Sequence, residues 1–390
     1  MMSRPQFVFQ CVVLASALVY TGAPPIVAQN GGGGGHSGPT PLADLLIEAE
    51  NNNTEIAAAE HTWRAAELRS QPAAGTPAAN PSESPAATSE LEAATQRAQI
   101  DTLRAGIADR VKTIYLRLAY LFQMYDLDER GEDDLSALIQ TQLSKYGRGL
   151  GSQSDVIEAQ IERTKILRET TLHHEEVGGL EAELKGLLHR EPDSPEIVPE
   201  PTTLSKLNQS VSELLAAAGK QNPTLIADRA IIDAESSRLD SIKHGVEPDS
   251  TIGFMLRHTG VDDPDNYLLV AHTSAAPSGS EAGQAAEILY SSRSEQSEDR
   301  LRQLAEVERQ YTFVISSEEL MRECKDGLIP QSKALYDSKL AAYQTAQEKF
   351  GAVIQAFLNE LTFEDDYLQA ILEHETSLAH LETLTGEKLR

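Results

Sequence analysis

Apolar residues recur at helical spacing over most of this chain, and they divide it into long predicted helices. The first helix is predicted to begin near Leu42, where apolar positions follow the i, i+3, i+4, i+7 rule. The pattern returns at position 90 and continues to Tyr146, with one possible break at Gly131. A further long helix is predicted from about 152 to 188, where prolines end it.

Segments without this periodicity separate the helices. Residues 70–89 contain four prolines and are predicted to form a loop or disordered linker, and 191–203 form a second Pro-rich link. Residues 1–28 are typical of a secretory signal peptide cleaved near Ala28, and the Gly-rich stretch 29–41 is a flexible tether. The expected domains are the signal peptide, the tether, a helical repeat at 42–190, the link at 191–203 and a second repeat at 204–390.

One stretch alternates with a period of two residues instead. Ile252, Phe254 and Leu256 fall on one face of a predicted strand, and turn-forming residues 262–266 follow. Because a second strand candidate comes next, the pattern predicts one β-hairpin across 250–274.

The second half of the chain repeats the first. Residues 42–67 align without gaps to 211–236, an offset of 169, and the stretch around Tyr146 aligns to that around Tyr343 at an offset of 197. The identical pairs include Leu45/Leu214, Ala49/Ala218, Asn53/Asn222, Val156/Val353 and Ile157/Ile354. Two ungapped matches in the same order predict tandem repeats, each with a long helical hairpin. In the second repeat helical spacing covers 286–345, with local faults at Gly327 and Pro330.

The stretch YGRGLGSQSDVIEAQ, residues 146–160, marks the tip of the first hairpin. Glycine weakens a helix and enters left-handed conformations cheaply, so its three closely spaced glycines predict a reversal of the chain. Ser152 or Ser154 can then cap the returning helix. The second copy has Ala346 in place of Gly149, so its turn is expected to be weaker and helical further into the tip.

Composition narrows the functional classes. The 390 residues include 60 acidic and 33 basic ones, and a net charge of −27 argues against a nucleic-acid partner. Only 5% of residues are aromatic, and the abundance of Ala, Leu, Glu, Gln and Ser is typical of long helices. Cys324 is the only cysteine after the predicted signal peptide, so neither an intrachain disulfide nor a cysteine-based metal site is expected.

The candidate for metal binding is the run HHEE, in which His173 and Glu176 share a helix face. A carboxylate-bridged site would need a matching Glu-x-x-His on another helix, and the sequence contains none. We therefore interpret the run as a solvated face. Since no Ser-His-Asp, Cys-His or Gly-rich phosphate signature is present either, the sequence predicts no enzyme, no cofactor and no metal site.

Motifs of moderate specificity occur in a characteristic order. The first tip contains Tyr-x-x-Gly-Leu-x-x-x-Ser-Asp-Val-x-x-Ala at 146–159, and the second keeps Tyr343, Val353, Ile354 and Ala356. Residues 247–260 and 378–389 are similar to a Pro-Asp strand start and to a closing helix. Over roughly 42–390 the chain thus resembles the TolC-like outer-membrane efflux proteins.

The resemblance implies a mainly α fold: two tandem repeats of long antiparallel helical hairpins, of the α-barrel type, with a β-hairpin contribution to a membrane β-barrel. It implies a homotrimer in the outer membrane with a large periplasmic part, a periplasmic adaptor protein that docks on the hairpin tips, and an inner-membrane pump. The exported cargo would be small molecules or metal ions. The partner-binding residues expected at the tips are Tyr146, Gly149, Leu150, Ser154, Asp155, Val156, Tyr343, Ala346 and Val353. The strand residues expected to face outer-membrane lipid are Ile252, Phe254 and Leu256.

The first repeat departs from the family pattern. Residues 70–89 stand where it should have its own β-hairpin, and nothing there alternates. One hairpin per subunit would give a trimer about six strands, against eight in the smallest ordinary outer-membrane barrels. The alternative function is therefore a periplasmic helical scaffold that keeps the adaptor-binding hairpins and lacks a working pore.

Overall fold

The computed structural model describes residues 38–70, 85–243, 252–257, 266–271 and 279–389. These residues contain nine α-helices, a short π-helix and two strands. The predicted signal peptide and most of the tether lie outside these residues. The helices are α1 (Leu42–Asn52), α2 (Thr54–Ser70), α3 (Pro85–Gly147), α4 (Gln153–Leu187), α5 (Val211–Gln221), α6 (Pro223–Lys243), α7 (Gly279–Glu323), α8 (Ile329–Gln344) and α9 (Phe350–Thr385), and the strands are β1 (Ile252–Arg257) and β2 (Asn266–Ala271).

Helix α3 is longer than its sequence pattern predicted. It begins at Pro85 and not at position 90, because a proline fits the first helical turn, where no backbone N–H is needed. The predicted linker was therefore wrong for 85–89, and its residues 71–84 lie outside the described part of the chain.

The predicted break at Gly131 was also wrong, since α3 passes through it. A Cβ atom at this position would lie 3.0 Å from Cδ1 of Leu361 in α9 and 3.6 Å from Cδ1 of Ile166 in α4. Glycine here lets three helices approach closely, and the packing offsets its low helix propensity.

The second repeat has an irregular turn at the predicted faults. Residues Cys324–Leu328 form a π-helix between α7 and α8, in which Ile329 donates its N–H to the carbonyl oxygen of Cys324. Gly327 lies inside this turn and Pro330, which has no N–H, follows it. Helix α7 begins at Gly279, before the predicted start at 286.

Helices α3 and α9 are central in the packing. Helix α3 contacts α1, α2, α4, α6 and α9, and α9 contacts α7 and α8 as well. Leu118 and Leu121 of α3 and Leu378 and Leu381 of α9 are fully buried. Helix α4 packs mainly along α3, and α8 mainly along α9, so each leaves a face without a partner among the described residues.

The two strands form an antiparallel pair in which Ile252 lies opposite Ala271 and Arg257 opposite Asn266. The remainder of the predicted hairpin, 250–251, 258–265 and 272–274, is outside the described residues. Across 38–70, 85–243 and 279–389, no helix is both long and apolar enough to cross a membrane.

Candidate functional site at the hairpin tips

The tips of the two long hairpins have the same length. Helix α3 ends at Gly147 and α4 begins at Gln153, while α8 ends at Gln344 and α9 begins at Phe350. Both bounds of the second tip therefore follow those of the first by the 197 residues that separate Tyr146 from Tyr343.

Both tips also reverse by the same backbone motif. Gly149 has a φ of +75° and donates its N–H to the Tyr146 carbonyl oxygen at 2.9 Å, while Leu150 donates to that of Lys145 at 2.9 Å. Ala346 has a φ of +58° and donates to Tyr343 at 3.1 Å, with the next N–H donating to residue 342 at 2.8 Å. This is the Schellman pattern, in which a left-handed residue after the helix satisfies its last carbonyl groups.

The prediction that the second tip stays helical further was thus wrong. A left-handed conformation costs an alanine about 1 kcal/mol or more. The two hydrogen bonds and the packing beneath the turn hold Ala346 in it. The prediction from the sequence had considered only the local free-energy cost of the left-handed conformation.

The returning helices begin differently. Ser152 is the N-cap of α4, and its Oγ accepts the N–H of Ser154 at 3.1 Å, with Asp155 in the first turn. Lys349 precedes α9 and gives no side-chain cap. A Cβ atom on Gly151 would lie 3.1 Å from the backbone nitrogen of Tyr146, so this turn also depends on the absence of a side chain there.

A polar bridge joins the two tips. The Tyr343 hydroxyl donates to Oε1 of Gln142, and Nε2 of Gln142 donates to Oδ2 of Asp155 at 3.1 Å. Nζ of Lys145 lies 3.5 Å from the centroid of the Tyr343 ring and donates to the Tyr343 carbonyl oxygen at 3.3 Å. Lys145 and Gln142 of the first hairpin thereby bind both the side chain and the backbone of Tyr343, at the end of α8.

An apolar cluster supports this bridge from below. Tyr343 packs on Phe350 with ring centroids 5.3 Å apart. The cluster also contains Leu135, Leu138, Ile139, Ala159, Val353, Ile354 and Phe357 from α3, α4 and α9. Burial raises the pKa of Tyr343, and the charge of Asp155 adds to this shift, so the hydroxyl keeps its proton and remains a donor.

The predicted partner-binding residues divide into an exposed group, a buried group and Asp155, which is half-buried and accepts a hydrogen bond from Gln142. Tyr146 is 46% exposed and Leu150 is 75% exposed, and Gly149, Ser154 and Ala346 are exposed as well. Three of the side chains that were expected to bind a partner are instead buried in the core, namely those of Val156, Tyr343 and Val353. These three cannot present a surface to a partner, and they hold the tips in shape instead.

Sequence reasoning missed Gln142 and Lys145. Gln142 is fully buried and follows Leu135 and Leu138 at helical spacing, so a polar residue on an apolar face was the available signal. No feature of the neighbouring sequence indicates the role of Lys145, because its partner Tyr343 comes from the other repeat.

The HHEE run contacts helix α3. Nδ1 of His173 lies 2.9 Å from Oδ2 of Asp128, and Glu176 pairs with Nε of Arg117 at 2.6 Å. Within the described ranges no group of three or more His, Cys, Asp or Glu side chains could hold a metal ion.

Comparison with solved structures identifies the fold. The outer-membrane channel OprN matches with a TM-score of 0.69 at 14% identity, over 88% of this chain and 89% of that chain. The outer membrane protein VceC from Vibrio cholerae matches with a TM-score of 0.67 at 14% identity, over 90% and 97% of the two chains. The Campylobacter jejuni CmeC outer membrane channel matches with a TM-score of 0.64 at 10% identity, over 90% and 86%.

No protein-family model matches the chain, and no curated protein matches its sequence. At identities of 10–14% the structural match shows the fold. The chain has the helical fold of the TolC-like outer-membrane efflux channels.

Proposed function

We propose that this protein is one subunit of an outer-membrane duct that exports small molecules or metal ions in a tripartite efflux system. The observation that supports this function best is the fold, shared over 88% of this chain and 89% of the OprN channel. The matched structures are outer-membrane channels and not enzymes. The duct would reach the outer membrane after cleavage of the signal peptide near Ala28.

The two outer faces of the helical layer support self-association. On α4, Ile157, Ile161 and Leu172 are exposed and fall on one face. Ile315 of α7 and Leu335 of α8 are exposed on two other helices, which pack against α9. Two different apolar faces favour a head-to-tail interface, and such an interface forms a ring when the rotation between subunits closes. A homotrimer is the ring that this function requires.

The tips are the proposed docking surface for the periplasmic adaptor protein. Tyr146 and Leu150 offer apolar contact area, and the glycine turn between them leaves the backbone open to a partner. Because the bridge from Gln142 to Tyr343 joins both hairpins, the adaptor would meet a preformed surface, which lowers the entropy cost of binding. The inner-membrane pump would act through this adaptor.

Strands β1 and β2 are the proposed contribution to a shared membrane barrel. A hairpin alone leaves backbone groups unpaired in lipid, so it must close with strands from other subunits. On this proposal Ile252, Phe254 and Leu256 face outer-membrane lipid, since residues two apart share a face of a strand.

A periplasmic scaffold without a pore is the second candidate, favoured by the single β-hairpin found in the described residues. Membrane fractionation separates the two functions, because a duct sediments with the outer membrane and a scaffold washes off in high salt or carbonate. A duct should also conduct ions as a purified trimer in a planar bilayer. Recovery of the protein in the soluble periplasmic fraction would overturn the duct.

A further inference from the structure

A groove lies between α3, α4 and α9, on the N-terminal side of Gly131 along α3. Its volume is about 410 Å³, which is within the range of small-molecule sites. Buried Met124 and Leu127 of α3 form an apolar floor, and Ile166 and Leu361 line the walls. Leu361 and Ile166 are also the residues that approach Gly131 most closely, so the groove lies next to the tight packing of the three helices there.

Carboxylates surround this apolar space. The groove is lined by Asp128, Glu162, Glu169 and Asp365, against one lysine, Lys165, and one histidine, His173. Nζ of Lys165 pairs with Oε1 of Glu162 at 2.7 Å, and the Tyr120 hydroxyl donates to Asp365 at 2.9 Å. Apolar walls with an excess of negative charge are complementary to an organic cation.

Asp128 and Asp365 both line the groove, and the charge of Asp365 acts on Asp128. Burial raises the pKa of Asp128, although His173 and Thr170 favour its charged form, and the charge of Asp365 raises it further. A positive charge near the two carboxyl groups would favour the charged form of Asp128 and offset the repulsion from Asp365.

We propose that this groove binds one lipophilic organic monocation, with its apolar groups on Leu127, Ile166 and Leu361 and its charge between Asp128 and Asp365. The site is distinct from the proposed subunit contact, because Ile157, Ile161 and Leu172 fall on another face of α4. It also stands apart from the export function, since binding requires the folded chain and not an open duct.

Isothermal titration calorimetry on the purified full-length protein tests the proposal with two ions of the same shape. Tetraphenylphosphonium is the cation, and tetraphenylborate is its anionic counterpart. We expect the cation to bind at least about tenfold more tightly, because the groove's net charge favours one sign. Equal affinities for the two ions would overturn the proposal.

Matched variants locate the binding. Asp365→Asn keeps an acceptor for Tyr120 and should weaken cation binding by about tenfold, as expected for one partly buried charge partner. Asp126→Asn makes the same charge change at an exposed position of α3 outside the groove and should leave the affinity within about twofold. Equal losses in both variants would mean that the cation is attracted only by the net charge of −27, and would overturn the site.

A third variant tests whether the cation occupies the groove, and it changes no charged residue. Thr362 lies on the rim of the groove and is exposed, so Thr362→Trp should fill the groove without disturbing the core. Its helicity should match that of the unmodified protein, and cation binding should be lost. Unchanged binding in this variant would contradict the site even if Asp365→Asn folded poorly.

Discussion

Asn53 and Asn222 occupy the same position in the two repeats, 169 residues apart. Each follows an eleven-residue helix and donates its N–H at 3.1 Å to a carbonyl oxygen four residues earlier. Each side-chain Oδ1 then accepts the N–H three residues later at 3.1 Å, from Ile56 and from Leu225. One buried asparagine thus ends a helix and caps the next one at the same bend in each repeat.

These two asparagines differ in their side-chain contacts, which gives a prediction. Nδ2 of Asn222 donates to Oε1 of Gln303 at 3.3 Å. Nδ2 of Asn222 also donates to the Leu384 carbonyl oxygen at 2.9 Å. Asn53→Ala should lower the free energy of unfolding by about 1 kcal/mol through loss of the cap. Asn222→Ala should cost about 2–3 kcal/mol, because it also leaves a carbonyl group without a partner. Urea unfolding followed by circular dichroism measures both, and equal costs would contradict the role of the α9 contact.

The left-handed Ala346 predicts a stabilising substitution. Ala346→Gly should raise the free energy of unfolding by about 0.5–1 kcal/mol, since glycine adopts a φ of +58° without strain. Ala352→Gly, in the first turn of α9, is the matched control and should lower it by at most about 1 kcal/mol. The same urea titration applies. A loss of stability in both variants would show that Ala346 is not left-handed in solution.

Docking at the tips predicts a local effect of charge. Leu150→Glu should reduce crosslinking to the adaptor about tenfold or more, as expected for a central contact residue, and should leave helicity unchanged. Leu301→Glu provides the control, because Leu301 is 69% exposed on α7 and Leu150 is 75% exposed. If crosslinking persists in Leu150→Glu, or falls equally in both variants, the tip is not the docking surface.

Barrel insertion predicts a difference between neighbouring strand residues. Phe254→Arg in β1 should cost about 2–4 kcal/mol if the side chain meets lipid near the midplane, and the protein should leave the outer-membrane fraction. Met255→Arg places the same charge on the other face of the strand and should be tolerated. Outer-membrane association of Phe254→Arg equal to that of the unmodified protein would favour the scaffold.

His380 predicts a pH dependence of stability. Its Nδ1 lies 2.9 Å from Oδ1 of Asp109, and this hydrogen bond raises the pKa of His380 against the opposing effect of burial. From α7, Glu306 raises this pKa further and Arg309 lowers it. The raised pKa means that the stabilisation is fully present below the unfolded-state value of about 6.5 and is lost as pH rises through the higher folded-state value.

Unfolding of the unmodified protein and of His380→Gln between pH 5 and 9 measures this dependence. The difference in their free energies of unfolding should be largest at the acid end and should shrink as pH rises. Asp109→Asn should remove most of this dependence, because it removes the charge that His380 faces. A difference that stays constant across the range would exclude the pair as its source.

The prediction of a mainly helical fold came from local chemistry and is confirmed by the structure and by its match to solved channels. Apolar spacing depends only on nearby residues, so it predicted the long helices on both sides of each tip. The glycines at 147, 149 and 151 marked the first reversal for the same reason. The errors at Pro85 and Gly131 arose where a residue's local preference was taken as decisive.

What the sequence by itself determined is therefore the helical class and the site of the first reversal, since each depends on residues within a few turns of one another. The tertiary structure alone decided which tip residues are buried, how the tips are joined and what conformation Ala346 adopts. Gln142 and Tyr343 are 201 residues apart in the chain and share a hydrogen bond. The packing of α3 against α9 brings such residues together, and no local pattern encodes that contact.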